Sequence, residues 1–234
     1  MSTPATTPPQ SSFRAPPNWV VWAFLLLGVA AVAGAFLIPL PKRTPPTDPV
    51  PSADPPHHPA APVFVLTERS GKEVSNEDLD GKVWIASFVF TRCTQGCPAV
   101  TGTVRKLQAE LKLADRDDLR LVTFTVDPER DKLDDLKKYA AVYGADETKW
   151  LFLTGPEKFV RLLLNKGFRI AAMKRENPKP GDEFDHSTKL LVIDKKGLVR
   201  GAFDGMVGEH DEGGRNFEQS QAELKALVEH LVKE

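Results

Sequence analysis

The sequence predicts an α/β fold, a central mixed sheet flanked by helices, preceded by one membrane-crossing helix. Three observations carry this. Apolar, β-prone runs alternate with stretches of helical periodicity and then close on a hairpin and a last helix, the order that builds a sheet through right-handed crossovers. A proline-rich stretch separates this region from an uncharged N-terminal run. The only two cysteines of the 234 residues, Cys93 and Cys97, sit where the first central run meets the helix after it. So close a pair is a poor disulfide framework and points to metal binding or thiol redox chemistry.

After a tail of residues 1–18, Trp19 to Leu40 contains no charged residue. As a helix it spans about 30 Å, the thickness of a bilayer's hydrocarbon core. Trp19 and Trp22 lie at one end, where interfacial aromatics belong. The run exceeds the roughly 7–15 residues of a cleaved signal's apolar region, so an uncleaved anchor is expected. Ala31-Val32-Ala33 still offers a cleavage site. Arg14 and the terminal amine balance Lys42 and Arg43, and a literal count of positive charge favours, by a single charge, a cytoplasmic C-terminal side. Residues 41–61 are rich in proline and read as an extended, semi-stiff spacer. His57 and His58 within it are metal-capturing residues or simply solvated linker.

Residues 62–234 have the size of one domain, expected to be monomeric. Val63 to Thr67 alternates and meets Ser70-Gly71, which predicts a short hairpin. Val83–Phe90 reads as a strand buried on both faces and Leu119–Val126 as a second central strand. Between them Pro98 suits the first position of a helix whose core face is Val100, Val104, Leu107 and Leu111. Leu133, Leu136, Ala140 and Tyr143 mark the next helix, ended by Gly144. Trp150–Leu153 is a short strand, and a helix carrying Phe159, Leu162 and Leu163 opens at Gly155-Pro156. Phe168–Met173 reads as a strand and residues 174–187 as a long polar loop. Thr188–Asp194 and Leu198–Phe203 form a hairpin, and Leu224, Leu227, Val228 and Leu231 the core stripe of a final helix.

A formal net charge of -1 with no basic stripe excludes a nucleic-acid binder. The chemistry gathers on the cysteines. A thiol pair after the first central strand occupies the active-site position of a thioredoxin-like fold, and open α/β sheets place their sites at the strands' carboxyl ends. Residues four apart stack on a helix, so both sulfurs can face one side. Cys97, beside Pro98 and a helix N-terminus, with Arg92 near, is expected to be the thiolate. A small structural disulfide is the bland alternative. His186, at the end of the polar loop, can fold over the site, and two thiolates with an imidazole suit copper as Cu(I) or Cu(II). Asp185 could orient that ring, although neighbours on a strand face opposite ways. Asp127 or Asp131, after the second central strand, is the better orienting partner. His210, in an acidic glycine-rich stretch, and His230 read as solvated.

Three segments, Phe90 to Pro98, Thr125 to Asp131 and Asp185-His186-Ser187, resemble the Sco/SenC family over residues 62–232. The resemblance implies a membrane-anchored, thioredoxin-like copper chaperone for cytochrome c oxidase. It also implies a copper site of Cys93, Cys97 and His186 and an inner-membrane location with the domain facing the periplasm, against the one-charge count. Thr94-Gln95-Gly96 stands where the family usually has Pro-Asp between its cysteines, so a negative charge near the metal is missing. The expected function is copper delivery to the copper-bearing subunit of cytochrome c oxidase or to another copper chaperone. The alternative is a thiol-disulfide oxidoreductase cycling Cys93 and Cys97, and a peroxiredoxin-like peroxidase ranks third.

Overall fold

The first residues of the computed structural model, which describes residues 59–208 and 216–234, already pair with the rest of the chain. The Val199 N–H donates to the Pro59 carbonyl, the Ala61 N–H to that of Gly197, and Ala60 bridges Leu198. Residues 59–61 are thus part of the same hydrogen-bonded structure. The anchor at 19–40, the spacer up to residue 58, and His57, His58 and His210 lie outside the described residues. Among the described residues no helix is long and apolar enough to cross a membrane.

The chain forms β1 (Val65–Glu68), β2 (Glu73–Ser75), β3 (Val83–Val89), α1 (Gly96–Glu110), β4 (Leu119–Thr125), α2 (Leu133–Val142), β5 (Trp150–Thr154), α3 (Glu157–Leu162), β6 (Ala172–Lys174), β7 (Phe184–His186), β8 (Lys189–Ile193), β9 (Val199–Asp204) and α4 (Phe217–Lys233). Seven strands make one sheet in the order β2-β1-β5-β4-β3-β8-β9. β3, β4 and β5 run parallel at its centre, joined through α1 and α2. The hairpins β1–β2 and β8–β9 add antiparallel edges to β5 and β3, so the sheet is mixed. β6 and β7 form a separate two-stranded ribbon.

β3 is buried along its whole length, as a strand covered on both faces must be. Phe64, Trp84, Phe88, Phe124 and Phe168 pack edge-on and stacked with ring centroids 5.1–6.5 Å apart. The polar atoms in this core are paired: the Ser87 and Thr123 hydroxyls lie 2.8 Å apart, and Trp150 Nε1–H donates to Thr123 Oγ1 at 2.9 Å. α4 is opened by Asn216, whose side chain accepts from the Gln219 N–H while its own N–H donates to the Gln219 side chain.

Four expectations are corrected. α1 begins at Gly96, so Pro98 is its third residue rather than its first; both places lack an intrahelical acceptor for the N–H that proline does not have. α3 turns Phe159 and Leu162 outward, because the buried stripe is Val160, Leu163 and Leu164, one residue on from the expected one; the chain then widens into a π-helical turn over Leu163–Gly167. The strand at Phe168–Met173 shrinks to Ala172–Lys174, since Arg169 takes a left-handed φ of 57°. The polar loop contains β7, so His186 lies in a strand rather than just before one.

A fragment beginning at Pro59 is expected to be monomeric and to unfold in one cooperative transition. A fragment beginning at Val65 loses the pairing of residues 59–61 and the buried Phe64 ring, and urea denaturation should show it less stable by at least about 3 kcal/mol. Equal midpoints for the two fragments would refute this boundary.

Candidate metal centre

Beyond the end of β3, Phe90 is still buried, and its ring lies edge-on to Phe184 at 5.4 Å and to the His186 imidazole at 5.8 Å. The chain then turns. The Cys93 N–H donates to the Phe90 carbonyl, and Thr91 is held by Asp131 through its N–H (3.1 Å) and its hydroxyl (2.6 Å). Thr125, the last residue of β4, donates its hydroxyl to the same carboxyl group at 2.5 Å. Asp131 is 0% exposed, and burial raises its pKa against the pull of the Thr125 and Thr91 hydrogen bonds. The thiol loop is thus fastened to the loop after β4.

Cys93 lies in this turn and Cys97 in the first turn of α1, fully buried. The Cys97 N–H, free of an intrahelical partner, donates to Cys93 Sγ at 3.4 Å. Thr101 closes the turn by donating to the Cys97 carbonyl at 2.8 Å, with the Tyr139 hydroxyl 2.7 Å behind it.

The ribbon β6–β7 brings the third group. His186 Nε2 lies 3.1 Å from Cys97 Sγ. Its Nδ1 lies 3.0 Å from the Ser187 carbonyl, which can only accept. Nδ1 therefore carries a proton, and Nε2 is the ring nitrogen turned toward the sulfurs. One ligand atom from each of Cys93, Cys97 and His186 falls within 4.8 Å of the others, and among the described residues this is the group suited to a metal ion. The Thr94 N–H donates to the Gly181 carbonyl at 3.0 Å and draws the ribbon's loop onto the thiol loop. Gly181 has φ +85°, and a Cβ there would fall 2.4 Å from Thr94 Oγ1, so this approach requires glycine.

The two thiols differ sharply. The Cys97 thiol as hydrogen-bond donor lowers the Cys93 pKa to about 4, with further help from His186 and backbone N–H groups. Burial, and then the neighbouring Cys93, push the Cys97 pKa up. The thiolate is therefore Cys93, not Cys97 as the helix position suggests, because burial at the helix start outweighs the dipole. Arg92 is exposed.

Of the acidic candidates, Asp185 is turned away from the ring and pairs with Arg175. Asp127 is buried and pairs with Arg130 at 2.6 Å. Asp131 supports the thiol loop through Thr91 rather than touching His186. The group that orients the imidazole is the Ser187 carbonyl, a backbone atom that no residue type announces. Thr91, Thr125 and Glu183 also escape a motif reading of single residues, although Thr125 opens the segment Thr125 to Asp131 that carries the resemblance.

The SCO1/SenC family model matches residues 52–213. The SCO1 protein homolog of Bacillus subtilis is 36% identical over 144 residues, covering 61% of this chain and 72% of that one. A putative copper-binding protein of Stutzerimonas stutzeri is 30% identical over 146 residues, covering 62% and 70%. Among solved structures, BsSco, described with a disulfide switch as a member of the Sco family of cytochrome c oxidase assembly proteins, superposes with a TM-score of 0.62 at 29% identity over 76% of this chain and 96% of its own.

Iodoacetamide should modify Cys93 in the folded, reduced protein and reach Cys97 only after unfolding. Between about pH 6 and 8 the Cys93 rate should stay nearly flat, where an ordinary thiol would accelerate about 100-fold. Mass spectrometry of the alkylated peptides reads both outcomes, and preferential labelling of Cys97 would reverse the assignment.

Proposed function

This chain belongs to the SCO1/SenC family, and on that premise we propose that it is a membrane-anchored copper metallochaperone of thioredoxin-like fold. Copper is its cargo, held by Cys93, Cys97 and His186 and passed by ligand exchange to the copper-bearing subunit of cytochrome c oxidase or to another copper chaperone. The observation that carries this reading is the convergence of two sulfurs and an imidazole nitrogen within 4.8 Å, drawn from segments 89 residues apart. Two soft donors favour Cu(I) and the imidazole serves either oxidation state. Binding releases the proton of Cys97, since the ligand is the thiolate. Cys93 and His186 are partly exposed while Cys97 is buried, so an acceptor meets Cys93 and His186 first. The relative named for copper binding and the Sco structure described with cytochrome c oxidase assembly support the same assignment. The uncharged run at 19–40 and the family resemblance support a single-pass location in the inner membrane, the domain facing the periplasm.

A second reading, thiol-disulfide exchange, is favoured by the low-pKa, half-exposed Cys93 beside a buried thiol. The Cys93 thiolate would attack a partner disulfide and expel one partner thiolate. Cys97 would then lose its proton, attack the mixed disulfide and expel the other. The partner gains two electrons, and Cys93–Cys97 becomes a disulfide.

The reduced protein should bind one copper ion with sulfur and nitrogen in its X-ray absorption first shell. His186→Ala should lower copper affinity by at least about 10-fold, no less than the loss of a ligand's hydrogen-bond partner costs. Parent-like affinity in that variant would remove His186 from the site. Oxidation to the Cys93–Cys97 disulfide should abolish tight copper binding, and reductant should restore it, because both states use the same sulfur electrons. Undiminished binding by the oxidised protein would move the metal elsewhere and raise the exchange reading above the chaperone one.

A further inference from the structure

The thiols and the imidazole sit on pieces of unequal firmness. Cys93 and Cys97 follow a central strand, whereas His186 rides on a ribbon of two three-residue strands. A two-stranded ribbon is marginal by itself, so its attachments decide where its side chains stand. At the His186 end, Asn165 clamps Ala172, its Oδ1 accepting from the Ala172 N–H at 2.9 Å, and the Ser187 N–H donates to the Ala171 carbonyl. At the other end the ribbon is held by Phe184 on Phe90, by an exposed Lys174–Glu129 ion pair at 3.6 Å, and by the buried Glu183. Its backbone carbonyl accepts from the Arg175 N–H at 2.9 Å, and its side chain accepts from Arg130 Nη1 at 3.1 Å. The other arm of the Arg130 guanidinium donates to the buried Asp127 at 2.6 Å. Among the described residues Arg130 Nη2 and Glu183 Oε2 are buried without a partner, so the contact is one hydrogen bond wide.

Arg130 and Asp131 are thus consecutive residues that reach opposite halves of the site. Asp131 holds the thiol loop through Thr91, and Arg130 holds the imidazole ribbon through Glu183. We propose that the Arg130–Glu183 contact is a positioning pair that sets His186 against the two sulfurs. It rests on the copper site of the preceding section and adds residues that touch no ligand atom. The fork of arginine is what the task needs: one planar group spans two carboxylates, which a lysine ammonium cannot do in the same geometry.

The test uses the full-length chain and Cu(I) competition against a chromophoric chelator, with each variant built in both the parent and the His186→Ala background. Glu183→Ala and Arg130→Lys should each lower affinity about 10-fold in the parent. Glu183→Gln, whose amide oxygen still accepts from Arg130, should stay close to the parent. In the His186→Ala background the losses should shrink to within about twofold, because a contact that acts only through the ring has nothing left to position. In the metal-free protein, amide exchange should quicken at 172–174 and 184–186 in both loss variants and stay unchanged at 83–89. The Cu(II) form should lose imidazole nitrogen hyperfine structure in its electron paramagnetic resonance spectrum. Arg130→Lys retains a cation for Asp127, so it decides the matter if Glu183→Ala does not fold. Unchanged affinity in both loss variants, or equal losses in both backgrounds, would overturn the positioning role while leaving the copper site standing. Parent-like affinity in His186→Ala alone would bring down the site itself and this inference with it.

Discussion

A carboxyl group taken wholly out of water has to find donors, and the way Asp131 finds them organises the functional end of the sheet. It accepts from the Thr91 N–H and hydroxyl and from the Thr125 hydroxyl, while its own carbonyl accepts from Thr154. Thr91 follows β3, Thr125 ends β4 and Thr154 ends β5, so one residue gathers the carboxyl ends of all three parallel strands. That is the edge at which open α/β sheets place their chemistry. The turn that carries Cys93 depends on this network, since Thr91 precedes it by two residues.

Burial then separates the two cysteines chemically. Cys93 keeps contact with solvent and collects hydrogen bonds from the Cys97 thiol and backbone, which stabilise its anion. Cys97 is fully buried in the first turn of α1, where a second negative charge would cost far more. The result is a pair with one ready nucleophile and one held proton. The same asymmetry serves either stepwise metal loading or thiol exchange, and the imidazole is what favours the first. Its Nδ1 is committed to the Ser187 carbonyl, so Nε2 is the nitrogen left for the sulfurs.

The third donor arrives on a ribbon that is tied down rather than built in. Phe184 packs against Phe90, Asn165 grips Ala172, Thr94 meets the Gly181 carbonyl, and Arg130 reaches Glu183. Each of these is one or two contacts. The copper delivery proposed above would need one ligand able to leave without unmaking the sheet, and a ribbon held by separate, individually modest contacts suits that proposal.

By itself the sequence determined the sheet's central strands, the helices between them and the three residues of the candidate site. Nearly all-apolar runs such as Val83–Val89 have no other stable home than a strand covered on both faces, and cysteines four apart after such a run leave few chemistries. Four matters were legible only in the tertiary structure. Which thiol is ionised depends on depth, and depth is a property of packing, so the helix-terminus argument pointed to the wrong cysteine. The polar stretch that ends in His186 contains a strand because its partner β6 and the Asn165 clamp lie elsewhere in the chain, and no local apolar pattern marks it. Phe159 and Leu162 face outward because the buried stripe is Val160, Leu163 and Leu164 rather than Phe159, Leu162 and Leu163; both sets have the i, i+3, i+4 spacing, so apolar spacing cannot choose between them. The ring's orienting group is a main-chain carbonyl, present at every position in the sequence and given meaning only by where the fold brings it.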